Sequence, residues 1–452
     1  CDYTLRKEIK LIRGGQHWIW SGSEKTFNKN IYFEPIKMKP NSKEVLNKKA
    51  IHELYEDLAG YLSILGENFD LQCPLTGGFD SRLIATLLVD QKLNAKYYTS
   101  GNPNHAEVKI ASMVANKLNL PHQVYQIDYN SLLKNWDDLV KNLILNKNGL
   151  ASLWSIIEYF LFQTSNSKTH SDGIIFTSDK IPVRLSTMAA EATRAAYNRA
   201  FLFSDDVDQT FVYDYLFGRV LANQNEILND NAIEVFNNYF KKFFKIYIEK
   251  GVYYKFMPDI FFLIERVGRH HANKWGLNKN ISDFFSMFCS KRYINTALKL
   301  HPVEKIAYPI HYRMMKMLNK EIFSIPFLHG KWPVQNKAVK TFLDKTKPTL
   351  KKYVEPLKRK YGRMKSNNGN KFKGEDIQVF DRYMIFNSKL EEIRSVCLDQ
   401  SSSEIWQFIK KDKLEQILTG KCKIETPMLT QLYAIATVFY YQHFSQQKNG
   451  GN

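Results

Sequence analysis

The chain has 452 residues, of which 44% are hydrophobic and 14% aromatic, which is enough apolar material for a large buried core and excludes a disordered protein. Its formal net charge is +19, but no stretch before Lys337 clusters Lys and Arg densely, so we attribute the excess to general composition rather than to nucleic-acid binding. The longest apolar runs, such as Ile260–Ile264, end well short of the roughly 20 residues that a membrane-spanning helix needs, so we expect no membrane span.

The first segment of the chain, residues 1–41, contains two short runs of β-like composition, His17–Trp20 and Asn30–Pro35, separated by glycine turns. We interpret it as the end of another unit. The next segment, Ser42–Leu65, has apolar residues at helical spacing, and Gly66 follows as a candidate C-cap. The pattern therefore predicts one helix there.

The most informative block begins at Phe69. Residues Phe69–Leu75 alternate in polarity like a strand, Thr76–Arg82 reads TGGFDSR, and Ser81–Leu93 is periodic like a helix. Gly77 and Gly78 allow the backbone to approach a ligand closely, and the first N–H groups of the helix point at it. This strand, turn and helix predict a phosphate-binding site.

Two further strands are predicted after this block. Lys96–Ser100 and Gln123–Ile127 read as strands, and Ala106–Leu118 between them reads as a helix. Strands that alternate with helices in this way predict an α/β fold with a doubly wound parallel sheet, with its ligand at the carboxyl ends of the strands.

The string LTGGFDSR, Leu75 to Arg82, closely resembles the pyrophosphate loop of asparagine synthetases and their relatives, where Ser-Gly-Gly-x-Asp-Ser is usual. Further residues fall on the family's places in the following strand and helix: Ser100, Gly101, Glu107, Ala111, Ala115 and His122. The resemblance runs loosely from Leu5 to Phe444, but only the first loop is specific. It implies a PP-loop ATP-pyrophosphatase fold with a large helical C-terminal part.

The resemblance also implies ATP and Mg²⁺ at this loop. The residues that it assigns to the nucleotide are Leu75, Thr76, Gly77, Gly78, Asp80, Ser81, Arg82, Ser100, Gly101 and Ser186. Within this set Asp80 binds Mg²⁺, and Ser100 and Gly101 face the adenine or ribose.

A second, looser match is LSTMAAEATRAAY, Leu185 to Tyr197, which resembles the family's second phosphate-proximal loop. Ser186 and Glu191 are retained, but Thr187, Ala189 and Ala190 replace glycines. If the loop needs positive φ at those positions, the replacements are strained or the loop is rebuilt. Glu191 is a candidate base and, with Asp80, a candidate Mg²⁺ ligand, and Tyr197 is a second candidate base.

The cations of the reaction are expected near the end of the synthetase segment. There HYRMMKM and LHGKWP fall where relatives place an Arg-bearing helix and a basic loop, which implies Lys331 as the catalytic cation and Arg313 as its helper. Lys180, Arg184 and Arg194 near the second loop are further candidates.

Three units follow from these matches: residues 1–41, which resemble the end of an N-terminal glutaminase-like domain; residues 42–334, the synthetase domain; and residues 335–452, a basic helical extension. Cys1 is not followed by the Gly of a glutaminase, so we expect no glutamine hydrolysis. The basic run Lys337–Lys373 favours an acidic peptide or a partner protein over nucleic acid. The five cysteines lack metal-ligand spacing and no secretory signal is recognisable, so we expect a cytoplasmic protein with no membrane partner.

The resemblance leaves three functions open. The first is ATP-dependent amide formation through an acyl-adenylate, with aspartate and ammonia as the default substrates. The second is the intramolecular version of that reaction, as in β-lactam synthetases and lasso-peptide cyclases, which the altered second loop favours because a larger substrate needs a wider site. The third is a non-catalytic relative that binds nucleotide or nucleic acid.

Overall fold

The computed structural model describes residues 8–34, 41–147, 149–165, 180–194, 197–198, 206–221, 227–272, 283–305, 307–327, 377–422, 424 and 426–449. The strands are β1 Gln16–Ser21, β2 Thr26–Ile31, β3 Asp70–Pro74, β4 Ala95–Ser100, β5 His122–Tyr125, β6 Pro182–Leu185 and β7 Asp283–Phe285. The helices up to residue 261 are α1 Ser42–Val45, α2 Lys48–Asn68, α3 Phe79–Asp90, α4 Ala106–Lys117, α5 Tyr129–Lys134, α6 Trp136–Asn146, α7 Ile156–Ser165, α8 Gln209–Val220, α9 Asp230–Glu249 and α10 Met257–Phe261. A π-helix over Phe262–His271 continues α10, and later helices are Lys291–Lys299, Pro302–Lys305, Pro309–Leu318, Ile377–Ser388, Leu390–Leu398, Lys411–Leu418 and Thr426–Asn449.

The main sheet has five parallel strands in the order β5-β4-β3-β6-β7. In the central strand, Leu71 pairs with Ala95 of β4 on one side and with Val183 of β6 on the other. The chain runs from β3 to β4 and β5 in one direction and then resumes at β6 on the opposite side of β3. The strand order therefore reverses between β3 and β6, and ligands of doubly wound sheets bind outside the carboxyl ends of the strands at such a reversal. The predicted α/β doubly wound sheet is confirmed.

The predicted helix over Ser42–Leu65 is divided in the structure into α1 and α2. The division occurs because the Asn47 side chain accepts a hydrogen bond from the backbone N–H of Ala50 at 2.7 Å and so caps a new helix start. Gly66 does not end α2, which continues to Asn68. A Cβ at Gly66 would lie 2.9 Å from Cδ2 of Leu93, so this glycine allows close packing instead of terminating the helix.

Two hydrophobic cores hold the described residues together. The first joins the main sheet to α2, α3, α4, α9 and α10. The second joins α5, α6 and α7 to the helices after residue 376, with Trp136, Phe386 and Tyr433 at its centre. This second core combines segments from both sides of the predicted boundary at residue 335, while the division into three units stays a prediction.

The N-terminal segment forms an antiparallel hairpin of β1 and β2, in agreement with its β-like composition. Within the described ranges, every helix is too short or too polar to cross a lipid bilayer.

Candidate active site

The loop after β3 is closed by its own side chains. The Thr76 and Ser81 hydroxyls lie 2.8 Å apart, the Thr76 N–H donates to Oγ of Ser81 at 3.1 Å, and the Gly78 N–H donates to Oγ1 of Thr76 at 3.1 Å. Helix α3 begins directly after Gly78, and no described side chain caps it. The N–H groups of its first turn therefore remain available to an anion, which agrees with the predicted phosphate site.

A second layer of hydrogen bonds supports the loop from β4 and β5. The Thr99 hydroxyl donates to the carbonyl of Leu75 at 2.6 Å, and Nε2 of His122 lies 2.8 Å from the same hydroxyl. Because a hydroxyl has one proton, Nε2 of His122 must donate to Thr99. Burial lowers the pKa of His122 and so favours the neutral ring, here with its proton on Nε2.

The carboxylate of Asp80, in the first turn of α3, contacts two basic side chains. Its Oδ2 lies 2.5 Å from a terminal nitrogen of Arg194, and its Oδ1 lies 2.9 Å from Nε2 of His311. Burial alone would raise the pKa of Asp80, but Arg194 and His311 outweigh it, so the pKa lies below its ordinary value. The Asp80 carboxylate is therefore stabilised in its ionised form by Arg194 and by the ring of His311.

Arg194 connects Asp80 to the second loop. The same terminal nitrogen lies 3.7 Å from Oε1 of Glu191, and the guanidinium carbon lies 5.5 Å from the ring centre of Tyr308. Burial would lower the pKa of Arg194, but Asp80 and Glu191 outweigh it and raise the pKa. For Glu191, burial and then Asp80 raise the pKa against the opposing effect of Arg194. The loops after β3 and β6 thus meet through charged groups at the reversal of strand order.

The second loop keeps a turn that favours glycine although it lacks glycines. Ala189 has φ +70° and is fully buried, directly before the 3-10 turn Ala190–Thr193. The strain foreseen for this loop is thus present at Ala189, while Thr187 and Ala190 avoid positive φ. The Ser186 hydroxyl accepts a hydrogen bond from the Met188 N–H at 3.2 Å.

Buried polar groups fix this loop against the helices that follow. The Tyr293 hydroxyl donates to the carbonyl of Ala190 at 2.9 Å and lies 2.8 Å from Oγ1 of Thr193. Nδ1 of His311 lies 3.4 Å from the same Thr193 oxygen. His311 therefore touches both loops, with Thr193 on one ring nitrogen and Asp80 on the other.

An aromatic stack borders the start of α3. The Phe79 ring lies between Tyr308 and Phe327, with centroid distances of 4.5 and 3.9 Å. Tyr308 has φ +52°, which is unusual for a large side chain and typical of functional sites. The guanidinium of Arg82 covers the other side of Phe327 at 3.9 Å, so arginines lie at both ends of the stack.

Arg82, predicted to contact ATP, is fully buried in the structure. Its terminal nitrogens donate to the carbonyls of Ile325 and Pro326 at 3.0 and 2.9 Å, and burial lowers its pKa to about 10. This geometry gives Arg82 a packing role. Its predicted contact with ATP is tested by a variant described below.

The other predicted cations lie in separate parts of the structure. Arg313 is exposed and donates to the carbonyl of Leu46. Lys180 donates to the carbonyl of Glu67 at 2.7 Å, near the end of α2, and Arg184 lies over the ring of Tyr98. Lys331 lies outside the described residues. Of the candidates that the structure describes, Arg194 is in contact with Asp80.

The remaining predicted residues lie as follows. Ser100 ends β4 and is exposed, and the Gly101 N–H donates to the carbonyl of Tyr125 at 2.8 Å. The ring of Tyr197 packs edge-on against Phe262, with centroids 5.5 Å apart. The structure thus brings Glu191 to Asp80 and places Tyr197 in an aromatic cluster.

His311 lies against Asp80 but was not predicted from the sequence. It shares the buried face of the helix Pro309–Leu318 with Met314 and Met315, three and four positions later. A polar residue in phase with buried methionines was a usable signal. Arg313 lies about 200° further around the helix and therefore faces solvent.

The predicted pair of Mg²⁺ ligands, Asp80 and Glu191, stays a prediction, and a basic side chain lies next to both carboxylates. Arg194 lies between Asp80 and Glu191, and hard cations need oxygen ligands that are free of competing cations. In the part of the chain that the structure describes, no group of three or more His, Cys, Asp or Glu side chains is arranged to hold an ion.

The phosphate loop of this site lies in a segment that matches a known protein family. The model of the asparagine synthase family matches residues 67–171, which include β3, the closed loop, α3, β4, β5 and the helices up to α7. This segment is therefore similar to asparagine synthases. No curated protein matches it. Members of the family use ATP to form amides, so the match supports an ATP-dependent ligase of that general class. The asparagine synthase match ends before β6, so the roles of Glu191 and Arg194 rest on the geometry alone.

Proposed function

We propose that this chain activates a carboxylate as an acyl-adenylate and transfers the acyl group to an amine. The observation that supports the proposal is the meeting of two loops at the reversal of strand order, where the uncapped start of α3 lies beside Asp80, Arg194 and Glu191. N–H groups and a guanidinium neutralise phosphate charge, and a carboxylate beside them takes a proton. The free thiols Cys73, Cys289, Cys397 and Cys422 are consistent with the cytoplasm.

The reaction has two bond exchanges. A carboxylate oxygen of the substrate attacks the α-phosphorus of ATP, and the bond to the β-phosphate oxygen breaks to release pyrophosphate. The amine nitrogen then attacks the acyl carbon, and the bond to AMP breaks. Arg194 and the first turn of α3 stabilise the negative charge of the phosphates, since preplaced donors act most strongly where charge develops.

Glu191 is the candidate base for the second exchange. Its pKa is raised by burial and by Asp80, which makes its carboxylate a better proton acceptor near neutral pH than an exposed glutamate. It would receive the proton that the amine loses when the amide forms.

The test is ATP–pyrophosphate exchange with a panel of carboxylates, which includes aspartate and peptides. Wild-type protein should exchange with at least one member. Glu191→Gln should keep exchange and lose amide formation by about 10²- to 10⁴-fold, because only the second step needs a base. Glu53→Gln, in α2 with a side chain that is 44% exposed, is the control and should retain both activities. Loss of exchange and amide formation together in a folded Glu191→Gln protein would contradict this role.

The panel also separates the alternative functions. Exchange with a peptide carboxylate and no need for an added amine would identify an intramolecular cyclase. Nucleotide binding without exchange would identify a non-catalytic relative, which is favoured by one observation: both oxygens of Asp80 already contact protein side chains, Arg194 and His311.

A further inference from the structure

The strongest unexplained feature of the site is the close contact of Asp80 with Arg194. Oδ2 of Asp80 lies 2.5 Å from the guanidinium, and the two residues are 114 positions apart in the chain. The Asp80 side chain is 13% exposed and that of Arg194 is 20% exposed, so this is a sheltered pair and not a surface ion pair. A positive charge of the protein therefore lies where the sequence predicts a bound metal.

Arg194 is held in place from several directions. Asp80 and Glu191 contact its terminal nitrogen, and Tyr308 lies alongside its guanidinium plane. The Nε atom of Arg194 and the Oε2 atom of Glu191 are buried, and neither finds a hydrogen-bond partner among the described residues. Buried polar groups normally have partners, so these two atoms indicate that a ligand completes the site.

The position of the guanidinium relates it to the phosphate loop. Asp80 is the second residue of α3, and the helix begins directly after Gly78. A group in hydrogen-bond contact with Asp80 therefore lies within one side-chain length of the open N–H groups. Arginine is suited to phosphate because its planar guanidinium donates through several N–H groups at once and stays charged.

We propose that Arg194 supplies the positive charge that binds the phosphates of the nucleotide, and that Asp80 is a positioning residue for Arg194 instead of a magnesium ligand. This inference rests on the nucleotide site of the proposed function. It deepens that function, because it makes Asp80 the residue that positions Arg194 and predicts how nucleotide binding depends on metal.

The experiment is calorimetric titration of the full chain with ATP, in excess Mg²⁺ and in excess EDTA. Wild-type protein should bind ATP in both buffers. Arg194→Met should weaken binding by about 10- to 100-fold in both, as expected for loss of hydrogen bonds between charged groups. Asp80→Asn should change the affinity by the same factor in both buffers, so that the ratio of the two affinities equals that of wild type.

Further variants keep the test decisive. Arg194→Met leaves Asp80 and Glu191 unpaired, so Arg194→Lys is the second variant; it keeps the charge, loses the planar fork and should bind ATP more weakly than wild type. Arg292→Met is the matched control, because Arg292 also pairs with two acids, Glu53 at 3.2 Å and Asp57 at 3.8 Å, and its own side chain is 51% exposed. It should bind ATP like wild type.

Two results would overturn the inference while leaving the nucleotide site intact. One is a loss of affinity in Asp80→Asn that is confined to the Mg²⁺ buffer and is tenfold or more, which would identify Asp80 as a metal ligand. The other is wild-type affinity in both folded Arg194 variants. Failure of wild-type protein to bind ATP in either buffer would refute the proposed function and, with it, the role of Arg194.

Discussion

The left-handed backbone of Ala189 allows a quantitative test of the second loop. Ala189 has φ +70° and is fully buried. Ala189→Gly has three effects on the free energy of unfolding: relief of the left-handed strain stabilises by about 1–2 kcal/mol, loss of a buried methyl destabilises by about 0.8 kcal/mol, and the greater freedom of the unfolded chain destabilises by about 0.4–1 kcal/mol. The sum is close to zero, so we expect this variant to be nearly as stable as wild type.

A control in the same turn isolates the strain. Ala192 is also buried, at 4% exposure, but its φ is not positive, so Ala192→Gly has the two destabilising effects without the relief. We therefore expect Ala189→Gly to be more stable than Ala192→Gly by about 1–2 kcal/mol, the strain of an L-residue in this conformation. Urea denaturation of both variants measures the difference, because the other two effects cancel between them.

The outcome has a direct meaning for the site. If the two variants are equally destabilised, the loop does not hold Ala189 in a strained conformation and the account of its geometry is wrong. If the expected difference is found, Ala189→Gly should also retain ATP binding, because the same turn carries Glu191 and Arg194 towards Asp80.

Three further predictions concern buried charges. Lys305 and Asp259 form a buried ion pair at 2.6 Å. Lys305→Met should lower the free energy of unfolding by about 3–5 kcal/mol, and the double variant with Asp259→Leu should recover most of this loss in urea denaturation. A Lys305→Met variant as stable as wild type would contradict the pairing. Burial raises the pKa of Asp381, so the folded state binds the Asp381 proton more tightly than the unfolded state does, and the free energy of unfolding falls as pH rises through the folded pKa. Asp381→Asn should therefore be more stable than wild type at neutral pH and lose that advantage in acid. A stability difference that does not change with pH would refute this. Arg82→Met should lower the free energy of unfolding by about 3 kcal/mol, because two hydrogen bonds to carbonyls are lost. Unchanged stability together with weaker ATP binding would show that Arg82 contacts the nucleotide instead.

The sequence by itself determined the features that depend on neighbouring residues. The strand, glycine turn and helix around Thr76–Arg82 are encoded by contiguous polarity and by Gly77 and Gly78, so the phosphate loop and the parallel sheet could be predicted. The possible strain in the second loop was also predictable, since it depends on which residue types tolerate positive φ. The sequence did not show which of the three altered positions would carry the strain, because the backbone angles of a turn depend on the residues packed around that turn.

Only the tertiary structure decided which charged groups meet. The sequence identified Asp80 and Glu191 as a pair of metal ligands and Arg313 as a cation, but folding places Arg194 between the two acids and turns His311 towards Asp80. The physical reason is that ion pairs between distant segments are set by how helices pack and rotate against the sheet, and a shift of two positions along a helix moves a side chain from the buried face to solvent. Local sequence patterns do not record that rotation.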